Sequence, residues 1–133
     1  MTRIVSVNAA EISAPGGHYS HVNVFGNFAF LSGQLPIDET GKILTDASFK
    51  DQTLRVLQNL DACLRQIGAS RQSLIQLRVY VTDMTNWKDF DVVYREWIGE
   101  HRPSRAVVGA SELHFGALIE VEAMAVMDGP SNF

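Results

Sequence analysis

Apolar residues along this chain recur first at every second position, then at every third or fourth, and the switches between the two periods mark its elements. "RIVSV" near the start alternates and fits an edge strand, and "SAPGGHYS" (Ser13 to Ser20) is a Gly/Pro loop. "HVNVFGNFAFLSGQLP" reads as a β-hairpin turning at Gly26-Asn27, with "SGQ" taken as a turn beyond its second strand. "IDETGKIL" is polar loop with a turn at Gly41. Leu54, Leu57, Leu60, Leu64 and Ile67 then keep helical spacing, with Ser48 as the N-cap, Asp51 in the capping-box position and Gly68 closing the C-terminal end.

"SLIQLRVYVTD" returns to alternation, with Ile75, Leu77, Val79 and Val81 set against Gln76, Arg78, Tyr80 and Thr82. A second helix is expected from Asn86 to Ile98, carrying Trp87, Phe90, Val93, Tyr94 and Trp97 near one face and ending at Gly99 and Pro103. "SRAVVGA" and "ALIEVEAMAVM" are the last strands. The order is roughly ββ-α-β-α-ββ, an α+β domain with two helices packed on one face of a sheet.

The final strand changes that picture. Ile119, Val121, Ala123 and Ala125 suit packing under helices, whereas Leu118, Glu120, Glu122, Met124 and Val126 make a face too apolar for open water and too charged for a dry core. The cheapest cover for such a face is another copy of the chain, so a homo-oligomer is expected.

At 133 residues, a single domain over 1–133 is expected. A net charge of −4, with no run of lysine or arginine, removes the electrostatic footprint of a nucleic-acid binder. One cysteine, Cys63, excludes an internal disulfide and a thiolate zinc site. Neither a secretory leader nor a membrane span is read, so a cytoplasmic protein is the default.

Full charges inside strand-like runs need a reason, because burying an unpaired charge costs about several kcal/mol. Arg105 presents a planar fork suited to a carboxylate; its structural alternative is an ion pair to Glu120 or Glu122 on a neighbouring strand. Glu120 and Glu122 share a face and could divide acid and base work, or form a solvated face. His18 and His21 in "HYSH" do not make a metal-ligand framework, and no metal is expected. Ser32 lacks the setting of a nucleophile and suits a hydrogen-bond donor. Cys63 is read as a small core residue. The residues alone give an oligomeric α+β domain with an anion site at Arg105, and no reaction.

"GGHYSHV", "LSGQLP", "EHRPSRAVV" and "ALIEVEAMA", in that order and spacing, together resemble the YjgF/Rid family of reactive intermediate/imine deaminases. The resemblance implies a chorismate-mutase-like fold in a homotrimer, with a central β-barrel, helices outside and clefts between subunits. It implies hydrolysis of 2-imino acids, or of 2-enamines such as 2-aminoacrylate, to 2-keto acids and ammonia without a cofactor. Arg105 matches the arginine that binds the substrate carboxylate and Glu120 the glutamate that positions water. Tyr19, Ser32 and Val107 match substrate-contacting positions, Tyr94 is aligned with a common asparagine, and Tyr94 and His18 are counted with them as substrate-binding.

The chain also departs from the family pattern. His18 replaces a proline, His21 a glutamine, Val107 a frequent cysteine, and "HFG" (His114 to Gly116) a common "PKG". These changes keep two alternatives open: a specialised 2-aminomuconate-type deaminase, and a ligand-binding or regulatory trimer without turnover.

Overall fold

The computed structural model describes residues 3–128, so the expected domain over 1–133 runs past the described residues at both ends. Its elements are β1 (Ile4–Val7), β2 (Val22–Phe25), β3 (Phe28–Gln34), α1 (Phe49–Gln66), β4 (Leu74–Val81), α2 (Trp87–Ile98), β5 (Ser104–Gly109) and β6 (Ile119–Val126). They form one six-stranded sheet in the order β1-β2-β3-β6-β4-β5. The β4–β5 pair is parallel and joined through α2; the other pairs are antiparallel. Two helices on a mixed sheet is the architecture that the periodicity implies.

Local chemistry accounts for the element ends. Gly26 at φ 62° makes the β2–β3 turn, a conformation that a Cβ would strain. Ser48 Oγ accepts from the Asp51 N–H at 3.1 Å, capping α1, and Gly68 at φ 72° follows its end. From α1, Val56, Leu57, Leu60 and Leu64 enter the core, where Phe90, Val93 and Ile98 of α2 and Leu77, Val79, Val81, Ile119, Val121 and Ala125 of the sheet meet them.

Several expectations need correcting. Leu54 is exposed, because the buried stripe of α1 is centred on Val56, Leu57 and Leu60 instead. Trp87 is also exposed, while Ile98 is buried. Ile75 points outward and Leu74 inward, since the β4–β6 register shifts between Leu74 and Gln76 and resets the alternation there. "SGQ" is not a turn: β3 runs on through Gln34, with its register against β6 shifting between Leu31 and Gln34.

Among the described residues, no helix covers the sheet's second face. At one end it carries Ile4, Phe25, Phe28 and Phe30, each more than 40% exposed. At the other end stand Glu120, Glu122, Arg78 and Tyr80, which face one another across β6 and β4. Cys63 lies wholly in the core, where burial pushes its thiol up to about 12, so it is inert.

Candidate functional site

Glu120 sits near the start of β6, opposite Tyr80 of β4, on the face away from the helices. The neighbouring position on β3 is Gly33, and a Cβ built there would lie 2.5 Å from Glu120 Oε2. The carboxylate therefore lies flat against β3 backbone in the space a side chain would take. Glu122 is occupied: Tyr80 donates its hydroxyl to Glu122 Oε1, and Arg78 approaches at 3.9 Å. Among the described residues Glu120 has no such partner, and burial raises its pKa above the ordinary carboxylate value, with Glu122 adding to the rise and His114 opposing it.

Glu120 forms part of the wall of a cavity of about 760 Å³, together with Tyr19, Ser32, His21, His114 and Phe115. Tyr19 is half exposed and brings its ring from the Gly/Pro loop. Ser32 Oγ donates to the Ser20 carbonyl at 2.6 Å, and the Ser32 N–H donates to the His21 carbonyl at 2.9 Å. These bonds fix the cavity wall to the loop, leaving Ser32 a hydroxyl oxygen that can still accept. Phe115 holds φ 64°, a left-handed conformation costly for a bulky residue, and its exposed ring stands at the cavity edge.

His21 is buried, and its Nδ1 accepts from the Ala9 N–H at 3.0 Å. Desolvation lowers its pKa, so it is a neutral strut tying residues before the loop to β2. His18 is exposed and does not line the cavity. Among the described residues no three His, Cys, Asp or Glu side chains gather as metal ligands.

Arg105 lies elsewhere. On β5 it is in register with Leu77, a core residue, so its side chain leaves the sheet on the helix face, opposite to Glu120. There its Nη1 donates to Asp91 Oδ1 of α2 at 2.7 Å, and its guanidinium stacks 5.1 Å from the Tyr94 ring and 5.6 Å from that of Phe90. Its alternative partners, Glu120 and Glu122, are thus replaced by Asp91, because β4 separates β5 from β6. Asp91 Oδ2 also takes Arg95, and the Arg105 bond holds the Asp91 carboxyl below its usual range. The Asp91 contact uses one terminal nitrogen, and the Arg105 side chain remains one-quarter exposed.

The residues proposed for one site consequently separate into two groups within a chain. Glu120, Ser32 and Tyr19 share the cavity; Arg105, Val107 and Tyr94 share the β5–α2 edge. Tyr94 is buried, and its hydroxyl finds no partner among the described residues, so no surface of it is offered to a ligand in the single chain. The polar member of α2 beside Arg105 is Asp91, which sequence reading did not single out. Gly33 was also missed as a packing position, although its place next to Ser32 was a cue.

The family model described as Endoribonuclease L-PSP matches residues 10–127. A RutC family protein of Pyrococcus abyssi is 42% identical over 112 residues, covering 84% of this chain and 87% of that protein. The chloroplastic Reactive Intermediate Deaminase A of Arabidopsis thaliana is 31% identical over 122 residues, covering 91% of this chain and 65% of that protein. Among solved structures, Escherichia coli TdcF with bound serine superposes with a TM-score of 0.87 at 28% identity, covering 93% of this chain and 99% of that one. The match spans both the cavity and the Arg105 edge, and the chain belongs to the Endoribonuclease L-PSP, or YjgF/Rid, family.

Proposed function

We propose that this protein hydrolyses 2-imino acids and their 2-enamine tautomers to 2-keto acids and ammonia, in clefts formed between copies of a homotrimer. The carrying observation is the Glu120 carboxylate, unpaired among the described residues, on the wall of a cavity and with a raised pKa. Such a group is a stronger base than a free glutamate. Membership in a family that includes a reactive intermediate deaminase supports the same chemistry.

In this reading the Arg105 edge of one copy closes over the Glu120 cavity of the next. The guanidinium, steadied by Asp91, gives its remaining donors to the substrate carboxylate. The protonated imine carbon is already electrophilic. Glu120 takes a proton from water as its oxygen bonds to that carbon, giving a carbinolamine. The proton then passes to the amine nitrogen; the carbinolamine hydroxyl returns its proton to Glu120 as C=O forms and the C–N bond breaks, and ammonia leaves behind a keto acid. An enamine first accepts a proton at its terminal carbon. Orientation and one base suffice for these steps.

An oxidase that generates 2-imino acids, with semicarbazide as a competing trap, tests this reading. Wild-type protein is expected to suppress semicarbazone formation. Arg105→Ala is expected to lose roughly 10- to 150-fold in efficiency, the cost of one charge-assisted pair. Unchanged trapping across a panel of imines would contradict hydrolysis. A second reading, binding without turnover, draws support from the TdcF relative described with bound serine. An RNA-directed reading has less support, since the chain carries net charge −4 and the cavity wall bears Glu120 and Glu122 without lysine or arginine.

A further inference from the structure

We infer that the cavity selects monocarboxylate substrates with a sizeable apolar side chain and rejects those with a second carboxylate; this deepens the hydrolytic reading and rests on it. Ile12, Leu35, Ile37 and Ile43 supply aliphatic surface, and the Phe115 ring stands at the edge. Several of the polar groups between them are held by bonds within the wall. Asn59 Nδ2 donates to the Leu35 and Ile37 carbonyls at 3.1 and 3.0 Å, and its Oδ1 accepts from Arg55 at 3.1 and 2.9 Å. Gln34 Nε2 donates to the Ser32 carbonyl at 3.1 Å, and the His21 ring is committed to the Ala9 N–H.

The Tyr19 hydroxyl and the His114 ring remain as donors, with no arginine or lysine beside them among the described residues to fix a second anion. No lysine or arginine lines the cavity among the described residues; Arg55, the nearest cation in this network, is held by Asn59 and by Glu39 at 3.2 Å. The carboxylates on the wall are Glu120, unpaired among the described residues, and Glu122, held by Tyr80 and Arg78, and the Glu120 charge repels another anion. A dicarboxylate of the 2-aminomuconate type would thus enter an acidic, aliphatic cavity with only one cation, Arg105, brought from the neighbouring copy. A substrate as small as 2-aminoacrylate would leave most of the roughly 760 Å³ to water. Aliphatic or aromatic side chains bury surface there, at roughly fourfold in affinity per buried methylene.

The test compares imines of alanine, leucine, phenylalanine and glutamate, each made by a suitable oxidase, in the semicarbazide assay. Calorimetric binding of pyruvate, 4-methyl-2-oxopentanoate and 2-oxoglutarate runs beside it. Leucine and phenylalanine imines are expected to react at least about tenfold more efficiently than those of alanine or glutamate. Ile43→Lys, which replaces part of the aliphatic wall at an exposed position, is expected to remove most of that preference. Equal efficiency for alanine and leucine, or a preference for glutamate, would overturn the inference while hydrolysis stands. No turnover with any imine, but keto-acid binding ranked by apolar size, would overturn hydrolysis and leave the selectivity in place. Neither turnover nor ranked binding would overturn both.

Discussion

Glu120 depends on a side chain that is absent. Because Gly33 leaves room for the carboxylate against β3, a methyl group there must push it aside, and Gly33 has no positive φ to add backbone strain. Gly33→Ala is expected to fold normally yet lower kcat roughly 10- to 100-fold with a smaller effect on KM, as misplaced catalytic groups do. A carbon-detected titration of Glu120 should show its pKa falling toward the ordinary value as the carboxylate moves into water; an unchanged kcat and pKa would refute the packing argument. The same burial makes a stability prediction. A carboxyl whose folded pKa is raised destabilises the fold once pH exceeds its unfolded value, since the unfolded chain then holds fewer protons. Glu120→Gln should therefore abolish activity and raise Tm near neutrality, with the gain vanishing in acid below the unfolded glutamate range. A Tm difference independent of pH would contradict this. Arg105 and Glu120 could be singled out from residue type and family motif. Asp91 was not, because its pairing depends on where α2 crosses β5, a tertiary fact that periodicity does not encode.

Between elements, Gln52 is the joint that places β6. It is fully buried on α1, its Oε1 accepting from the Leu118 N–H at 2.9 Å and its Nε2 donating to the Ala47 carbonyl at 3.0 Å. The first turn of α1 is thereby tied to the entry of the strand that carries Glu120. Gln52→Leu leaves both backbone groups short of a partner and is expected to cost about 1–3 kcal/mol in denaturant unfolding. Ser48→Ala, which removes only the cap, should cost about 1 kcal/mol and spare activity. An unchanged midpoint for Gln52→Leu would show that this joint contributes nothing. Both helices and the hairpin were readable in the sequence because caps, glycines and leucine spacing act locally. The outward turn of Ile75 and the continuation of β3 through "SGQ" were not, since each follows from a register shift set by the partner strand.

At the scale of the whole molecule, the two groups of site residues lie on opposite faces of one sheet, and an apolar face with Phe25, Phe28 and Phe30 stands uncovered. Both facts find one explanation in the proposed trimer. The mixed face of β6 raised the expectation of an oligomer from sequence, but the separation of Arg105 from Glu120 within a chain required the topology. Subunit complementation tests the central claim most directly. Arg105→Ala and Glu120→Gln proteins, each far below wild type alone, are unfolded together, refolded and assayed on the best imine substrate. If the cleft takes Arg105 from one copy and Glu120 from the next, random mixing leaves about one intact cleft in four, and roughly a quarter of wild-type activity returns. If the mixture stays as inactive as its components, the two residues do not meet across a subunit boundary, and the shared cleft is wrong.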